Sequence, residues 1–158
     1  MAIAYGVGDA SAPGVHGPKI IVHVCNDVGG WGRGFVVALS NRWPEPEQHY
    51  RKWFRGKTAQ PFALGEVQFV KVSADTSVAN LIGQRDIRTR AGVPPIRYDA
   101  LRQGLRVIAV EVHRLAASVH MPRIGCGLAG GSWEQVGPIV EQELAVKGIS
   151  VTVYDLPD

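Results

Sequence analysis

The stretch Ile20-Ile21-Val22-His23-Val24-Cys25-Asn26-Asp27-Val28-Gly29-Gly30-Trp31-Gly32-Arg33-Gly34-Phe35 decides the fold. Its first six residues are short, β-branched and almost continuously apolar, the pattern of a strand covered on both faces. Glycines follow, and Phe35-Val36-Val37-Ala38-Leu39 then opens a helix. The arrangement recurs later in the chain. Ser118-Val119-His120-Met121 reads as a strand and Gly125-Cys126-Gly127-Leu128-Ala129-Gly130-Gly131 as a glycine loop. Trp133, Val136, Ile139, Val140 and Leu144 then repeat at helical spacing up to a stop at Gly148.

Working outward, Pro44 and Pro46 bracket a break and Glu47 to Phe54 forms a second short helix. Gly56 to Pro61 reads as an exposed loop. Glu66 to Val72 alternates at period two, as an edge or half-buried strand does, and Val78 to Ile82 is another strand ending at Gly83. Arg85 to Pro95 is a polar loop. Tyr98, Leu101, Leu105, Ile108, Val112 and Leu115 mark an amphipathic helix of about five turns. A last strand runs from Ile149 to Leu156. Strands alternating with helices predict an α/β fold, its central sheet largely parallel and covered on both faces.

The 158 residues suit one domain, and the sequence reads as a single unit without repeats or a linker. Hydrophobic residues make up 46% and charged residues 20%, which excludes disordered and fibrous classes. No run reaches the roughly 20 apolar residues of a membrane span, and the N-terminus has no signal-peptide pattern, so a cytoplasmic monomer away from membranes is expected. The net charge of +3 is scattered and tolerates a polyanionic partner without requiring one. Cys25 and Cys126 lack disulfide or metal spacing and read as small core thiols in a reducing compartment. The five histidines show no paired ligand spacing, so no metal is expected; His23 and His120 read as satisfied core histidines rather than catalysts, with reaching the cleft as a second reading for His23.

A strand, then glycines, then a helix start is an anion-binding arrangement. Helix N-termini expose N–H groups, and glycines let the backbone approach closely. Two such loops at the carboxyl ends of strands fit a diphosphate held between them. Neither is a Walker A or a regular GxGxxG loop, so kinase, NTPase and dinucleotide-dehydrogenase readings lose weight.

Tyr5-Gly6-Val7-Gly8-Asp9, Val24-Cys25-Asn26-Asp27, Met121-Pro122-Arg123-Ile124-Gly125-Cys126-Gly127-Leu128 and Val151-Thr152-Val153-Tyr154 together resemble a macrodomain over nearly the whole chain. The branch most similar is that of terminal ADP-ribose protein glycohydrolase. The resemblance implies a three-layer α/β/α sandwich with a mixed, largely parallel sheet, and ADP-ribose in a cleft at its carboxyl ends. Asp9, with Ala10 beside it, would accept from the adenine amine, although Asp9 also reads as a turn cap. Asn26 would sit near the proximal ribose or simply satisfy loop backbone. Gly29, Gly30, Trp31, Gly32, Arg33 and Gly34 would cover that ribose and one phosphate. Gly125, Cys126, Gly127, Leu128, Ala129, Gly130, Gly131 and Ser132 would wrap the diphosphate. Tyr154 would line the adenine pocket or pack in the core. Trp31, a large aromatic among glycines, reads as a flap over ligand or a surface contact.

The chain departs from that branch at two places. Ala129 stands where the branch carries a catalytic aspartate, and Gln84 or Arg85 where it carries a lysine nucleophile. An amide forms no Schiff base, and arginine is too basic to be a neutral nucleophile. The other hydrolytic branch places an aspartate where Arg33 stands; Asp27, at the start of the loop, is a substitute. Two readings follow. The first is a hydrolase that removes mono-ADP-ribose from Asp or Glu esters, with Asn26, Gln84 and Asp27 about the water and the ligand's phosphate assisting. The second is a non-catalytic ADP-ribose reader, or a deacetylase of O-acetyl-ADP-ribose. The first is carried forward because a compact domain has no appended module for a reader to deliver. ADP-ribose is thus the expected ligand, with no cofactor, and ADP-ribosylated proteins the expected partners. Nucleic acid enters only as a modified carrier. Arg85, Arg88, Arg90, Arg97, Arg102 and Arg106 read as solvated loop and helix face, with attraction of a polyanionic substrate as a second role.

Overall fold

The computed structural model describes residues 2–157. In chain order the elements are β1 (Ala4–Val7), β2 (Lys19–Asn26), α1 (Phe35–Arg42), α2 (Glu45–Phe54), β3 (Val67–Lys71), β4 (Thr76–Gln84), α3 (Tyr98–Leu115), β5 (Ser118–Met121), α4 (Trp133–Glu143), a 3-10 turn (Ala145–Lys147) and β6 (Val151–Asp155). One six-stranded sheet has the order β1-β6-β5-β2-β4-β3. Every pairing is parallel except β3 against β4. The expected α/β architecture is therefore present, a mixed and largely parallel sheet between two helical layers.

The strand β2 shows why both layers form. Ile20 and Val22 enter one core with β5, α3 and α4, while Ile21 and Cys25 enter the other with Leu39, Tyr50 and Trp53 from α1 and α2. Successive side chains point to opposite faces, so a run apolar at every position has to be covered twice. Tyr50 and Trp53 are fully buried, which makes α2 the main cover of the second core.

Three boundaries differ from expectation. Pro46 is not part of a break: it lies in the first turn of α2 behind the N-cap Pro44. A first turn has no use for the N–H that proline lacks, so the helix starts two residues earlier than its apolar pattern suggests. The strand β4 does not stop at Gly83 but runs on to Gln84. The last strand is shorter than expected, Val151–Asp155, because Gly148 takes a left-handed conformation that ends the preceding turn.

The extension of β4 positions the site. Register slips at its end: Cys25 faces Ile82, but Asn26 faces Gln84, so Gly83 is left over as a bulge. A Cβ on Gly83 would come within 3.1 Å of Val24 Cγ1. The bulge brings the ends of β2 and β4, and with them Asn26 and Gln84, side by side at the carboxyl edge of the sheet.

Candidate ligand-binding cleft

The carboxyl ends of β1, β6, β5, β2 and β4 open into one cleft of about 970 Å³. That lies at the upper end of the usual 300–1,000 Å³ of small-molecule sites. It runs the width of the sheet. Gly8, Asp9, Ala10, Tyr154 and Leu156 line it at the β1/β6 end, and Gln84, Ile87 and Arg88 at the β4 end. Between them lie Gly30 to Phe35 from the first glycine loop and Pro122 to Gly125 with Gly127 to Ala129 from the second. Both loops thus reach the same cavity.

The first loop is shaped by one side chain. Asn26 Oδ1 accepts from the backbone N–H groups of Val28 and Gly30 at 3.0 and 2.9 Å, and Asn26 Nδ2 donates to the Gly30 carbonyl at 2.9 Å. The Tyr50 hydroxyl closes over the same amide, 2.9 Å from Oδ1 and 2.7 Å from the Asn26 carbonyl oxygen. Asn26 is therefore the internal scaffold of the loop while lining the cleft, and one of its two amide hydrogens is uncommitted. Gln84 lines the opposite wall. Its amide nitrogen donates to the Asp86 carbonyl at 3.1 Å, which leaves its carbonyl oxygen without a partner among the described residues.

The structure relocates several predicted residues. Trp31 is not a flap. It is 8% exposed, its indole N–H donates to Ser40 Oγ at 2.8 Å, and its ring packs on Tyr50 and edge-on to His23. A buried indole needs an acceptor for its N–H, and Ser40 on α1 supplies one. Gly29 does not reach the cleft; with φ +77° it passes under Phe54, whose ring a Cβ would strike at 2.5 Å. Asp27 turns away too. Its Oδ1 accepts from the Asp86 N–H at 2.7 Å, and it borders a neighbouring pocket instead.

In the second loop only Gly125, Gly127, Leu128 and Ala129 line the cleft. Gly130 and Gly131 hold the loop together: Gly131 N–H donates to the Gly125 carbonyl at 2.8 Å, and Gly130 packs on Pro94. Cys126 and Ser132 lie outside the lining, and Cys126 is a half-buried free thiol packed against the edge of the first core. Arg33 is exposed at the cleft mouth, and its side chain makes no hydrogen bond or ion pair among the described residues.

At the β1/β6 end, both readings of Asp9 are realised in one carboxylate. Oδ1 caps the turn, accepting from the Ser11 N–H and hydroxyl at 2.8 and 2.7 Å, and Oδ2 lies 3.7 Å from Arg42 Nη2. Burial alone would raise this carboxyl, but the Ser11 hydrogen bonds and the Arg42 guanidinium outweigh it and hold it below its ordinary value. Asp9 thus presents an ionised oxygen at the cleft wall. Tyr154 lines the same end, with its hydroxyl 2.7 Å from His120 Nδ1, while Ser118 Oγ meets the other ring nitrogen at 2.8 Å.

His23 follows its second reading and reaches the cleft, and its ring is only half satisfied. It is 2% exposed and lines the cleft floor. Asn80 Nδ2 donates to the Pro46 carbonyl and to Gln68 Oε1, so its Oδ1 must face His23 Nε2, at 2.6 Å. That places the ring proton on Nε2 and leaves Nδ1 a bare, buried acceptor without a partner. Burial pushes the imidazole down to about 4, against a smaller opposing contribution from Asn80, so the ring is neutral at ordinary pH. Phe35, Val36 and Ala38 of α1 also line the cleft and were not foreseen. Their mark in the sequence was an apolar helix start directly after the glycines.

A solved structure from Bacteroides thetaiotaomicron, described as a protein of unknown function, is 55% identical over 99% of each chain, with a TM-score of 0.95. A macrodomain protein from Streptomyces coelicolor is 52% identical over 97% of this chain and 98% of that one, with a TM-score of 0.86. This chain belongs to the macrodomain family. No protein-family model matches the sequence. Among curated relatives, mouse chromodomain-helicase-DNA-binding protein 1-like is 32% identical over 98% of this macrodomain, which spans only 18% of that protein. Bovine ADP-ribose glycohydrolase OARD1 is 42% identical over 62 residues, covering 37% of this macrodomain and 40% of that protein.

Proposed function

We propose that this macrodomain binds ADP-ribose and hydrolyses it from mono-ADP-ribosylated proteins at ester-linked Asp or Glu. The observation that carries the reading is a single cleft reached by both glycine loops, with an ionised acceptor, Asp9, at one end and Gln84 at the other. The relative bearing the name ADP-ribose glycohydrolase supports it.

In this reading the adenine amine donates to Asp9 and the ring lies by Tyr154. The diphosphate sits between the two loops and their backbone N–H groups, with the exposed guanidinium of Arg33 at the cleft mouth. The distal ribose then reaches Gln84. Water attacks the anomeric carbon, the C–O bond to the carrier breaks, and the carboxylate leaves with the bonding electrons, needing no acid to protonate it. The water's proton passes to a phosphate oxygen of the ligand. The free carbonyl oxygen of Gln84 and the uncommitted amide hydrogen of Asn26 orient the water. Asp27 takes no part, since it faces elsewhere.

Ala129 lies in the cleft where the resemblance implies an aspartate, and this favours a second reading, a binding module that turns nothing over. One experiment separates them: incubate the protein with a carrier mono-ADP-ribosylated on glutamate, follow free ADP-ribose, and titrate ADP-ribose calorimetrically alongside. Release with binding is expected. Binding without release makes the protein a reader, and no binding removes both readings.

A further inference from the structure

Beside the cleft lies a second pocket of about 370 Å³, and Arg88 lines both. Arg85, Arg90 and Arg97 line the rest, with Asp27 and Asp86, a surplus of two positive charges. Two of the arginines are held internally. Arg90 Nε donates to Asp86 Oδ2 at 2.8 Å, and Arg97 Nη1 donates to the carbonyls of Pro94, Pro95 and Ile96. The side chains of Arg85 and Arg88 are exposed and hold no hydrogen bond or ion pair among the described residues, so each offers a whole guanidinium fork. The other arginines of the expected cluster do not contribute, because Arg102 and Arg106 both pair with Glu143 on α4.

The place of this pocket relative to the cleft gives it meaning. Sheet order sets Asp9 and Tyr154 at the β1/β6 end, the glycine loops in the middle, and Gln84 and Arg88 at the β4 end. A ligand with adenine at the first end and diphosphate in the middle carries its distal ribose toward β4. Whatever is attached to that ribose leaves the cleft past Arg88, into the arginine pocket.

We propose that this pocket receives an acidic side chain of the carrier protein, next in the chain to the ADP-ribosylated residue; this rests on the function proposed above. A carboxylate accepts a guanidinium fork in bidentate fashion. Val28 and Val93 on the pocket wall suit the methylenes of a peptide side chain. None of the lining residues is aromatic, so the pocket offers no platform on which nucleic-acid bases would stack.

The test uses synthetic peptides carrying ADP-ribose on a non-hydrolysable oxime linker, flanked by glutamates or by glutamines, with free ADP-ribose titrated in parallel. Glutamate-flanked peptide should bind about three- to fivefold tighter at low salt, the range of a partly exposed ion pair. Arg85→Gln, which lies outside the cleft lining, should abolish that preference and leave free ADP-ribose unchanged. Equal affinity for the two peptides, with ADP-ribose bound normally, overturns the pocket assignment alone. Failure to bind free ADP-ribose overturns the function on which it rests. Tighter binding of an oligonucleotide bearing ADP-ribose at its end, also lost in Arg85→Gln, overturns the peptide assignment in favour of a phosphodiester carrier.

Discussion

A few side chains in this macrodomain each do two things at once. Asp9 caps a turn with one oxygen, holds the other near Arg42, and lines the cleft. Replacing it with alanine removes a charged acceptor, which is worth about 1.5–3 kcal/mol in a hydrogen bond. Asp9→Ala should therefore weaken ADP-ribose binding by roughly tenfold or more in calorimetric titration. Asp9→Asn keeps an acceptor for Ser11 and separates loss of the turn from loss of the charge; an unchanged dissociation constant in both variants removes Asp9 from the adenine site. The glycines divide just as sharply. A Cβ on Gly131 would lie 2.5 Å from the Gly125 carbonyl oxygen, backbone against backbone, while one on Gly127 meets nothing within 4 Å. Gly131→Ala should cost on the order of 1–3 kcal/mol in denaturant unfolding, whereas Gly127→Ala should stay within about 0.5 kcal/mol of the parent. Equal costs would mean that the loop relaxes around position 131. None of this was legible from the glycine count alone. The sequence shows that a loop is rich in glycine, but which glycines touch ligand and which touch their own backbone depends on how the loop closes.

At the scale of elements the sequence was more legible, because period and burial are local quantities. The continuous apolar run of β2 announced a strand covered on both faces, and the spacing from Tyr98 to Leu115 matched α3 end to end. What failed depended on partners distant in the chain. Trp31 looked exposed because glycines surround it; its cover comes from Ser40, Tyr50 and His23, on three other elements. His23 looked satisfied, and half of it is, through Asn80 on the neighbouring strand. These elements carry a pH prediction. His23 and His120 are both pushed by burial from 6.5 to about 4. The unfolded chain then takes up protons between those values and the folded chain does not. Stability is fully present above about pH 6.5, falls as pH drops toward 4, and loses nothing further from these two groups below that. The buried His23 should account for a loss on the order of 3 kcal/mol across that window. His23→Gln should flatten the profile of thermal midpoint against pH between 6.5 and 4; an unaltered slope would show that the ring titrates equally in both states.

At the scale of the whole molecule, the route of the chain through its sheet governs how the molecule is assembled. Ala4 pairs with Thr152 and Val7 with Asp155, so the first strand of this sheet in chain order has its neighbour in the sixth. As the chain emerges from the ribosome, β2, β4 and β5 can associate while β1 has no edge to join. Asp9 follows β1 and Tyr154 lies on β6, so the β1/β6 end of the cleft is built in the closing step of folding. A nascent or C-terminally truncated chain would therefore carry both glycine loops on a partial sheet and still lack the wall that Asp9 and Tyr154 form at the β1/β6 end.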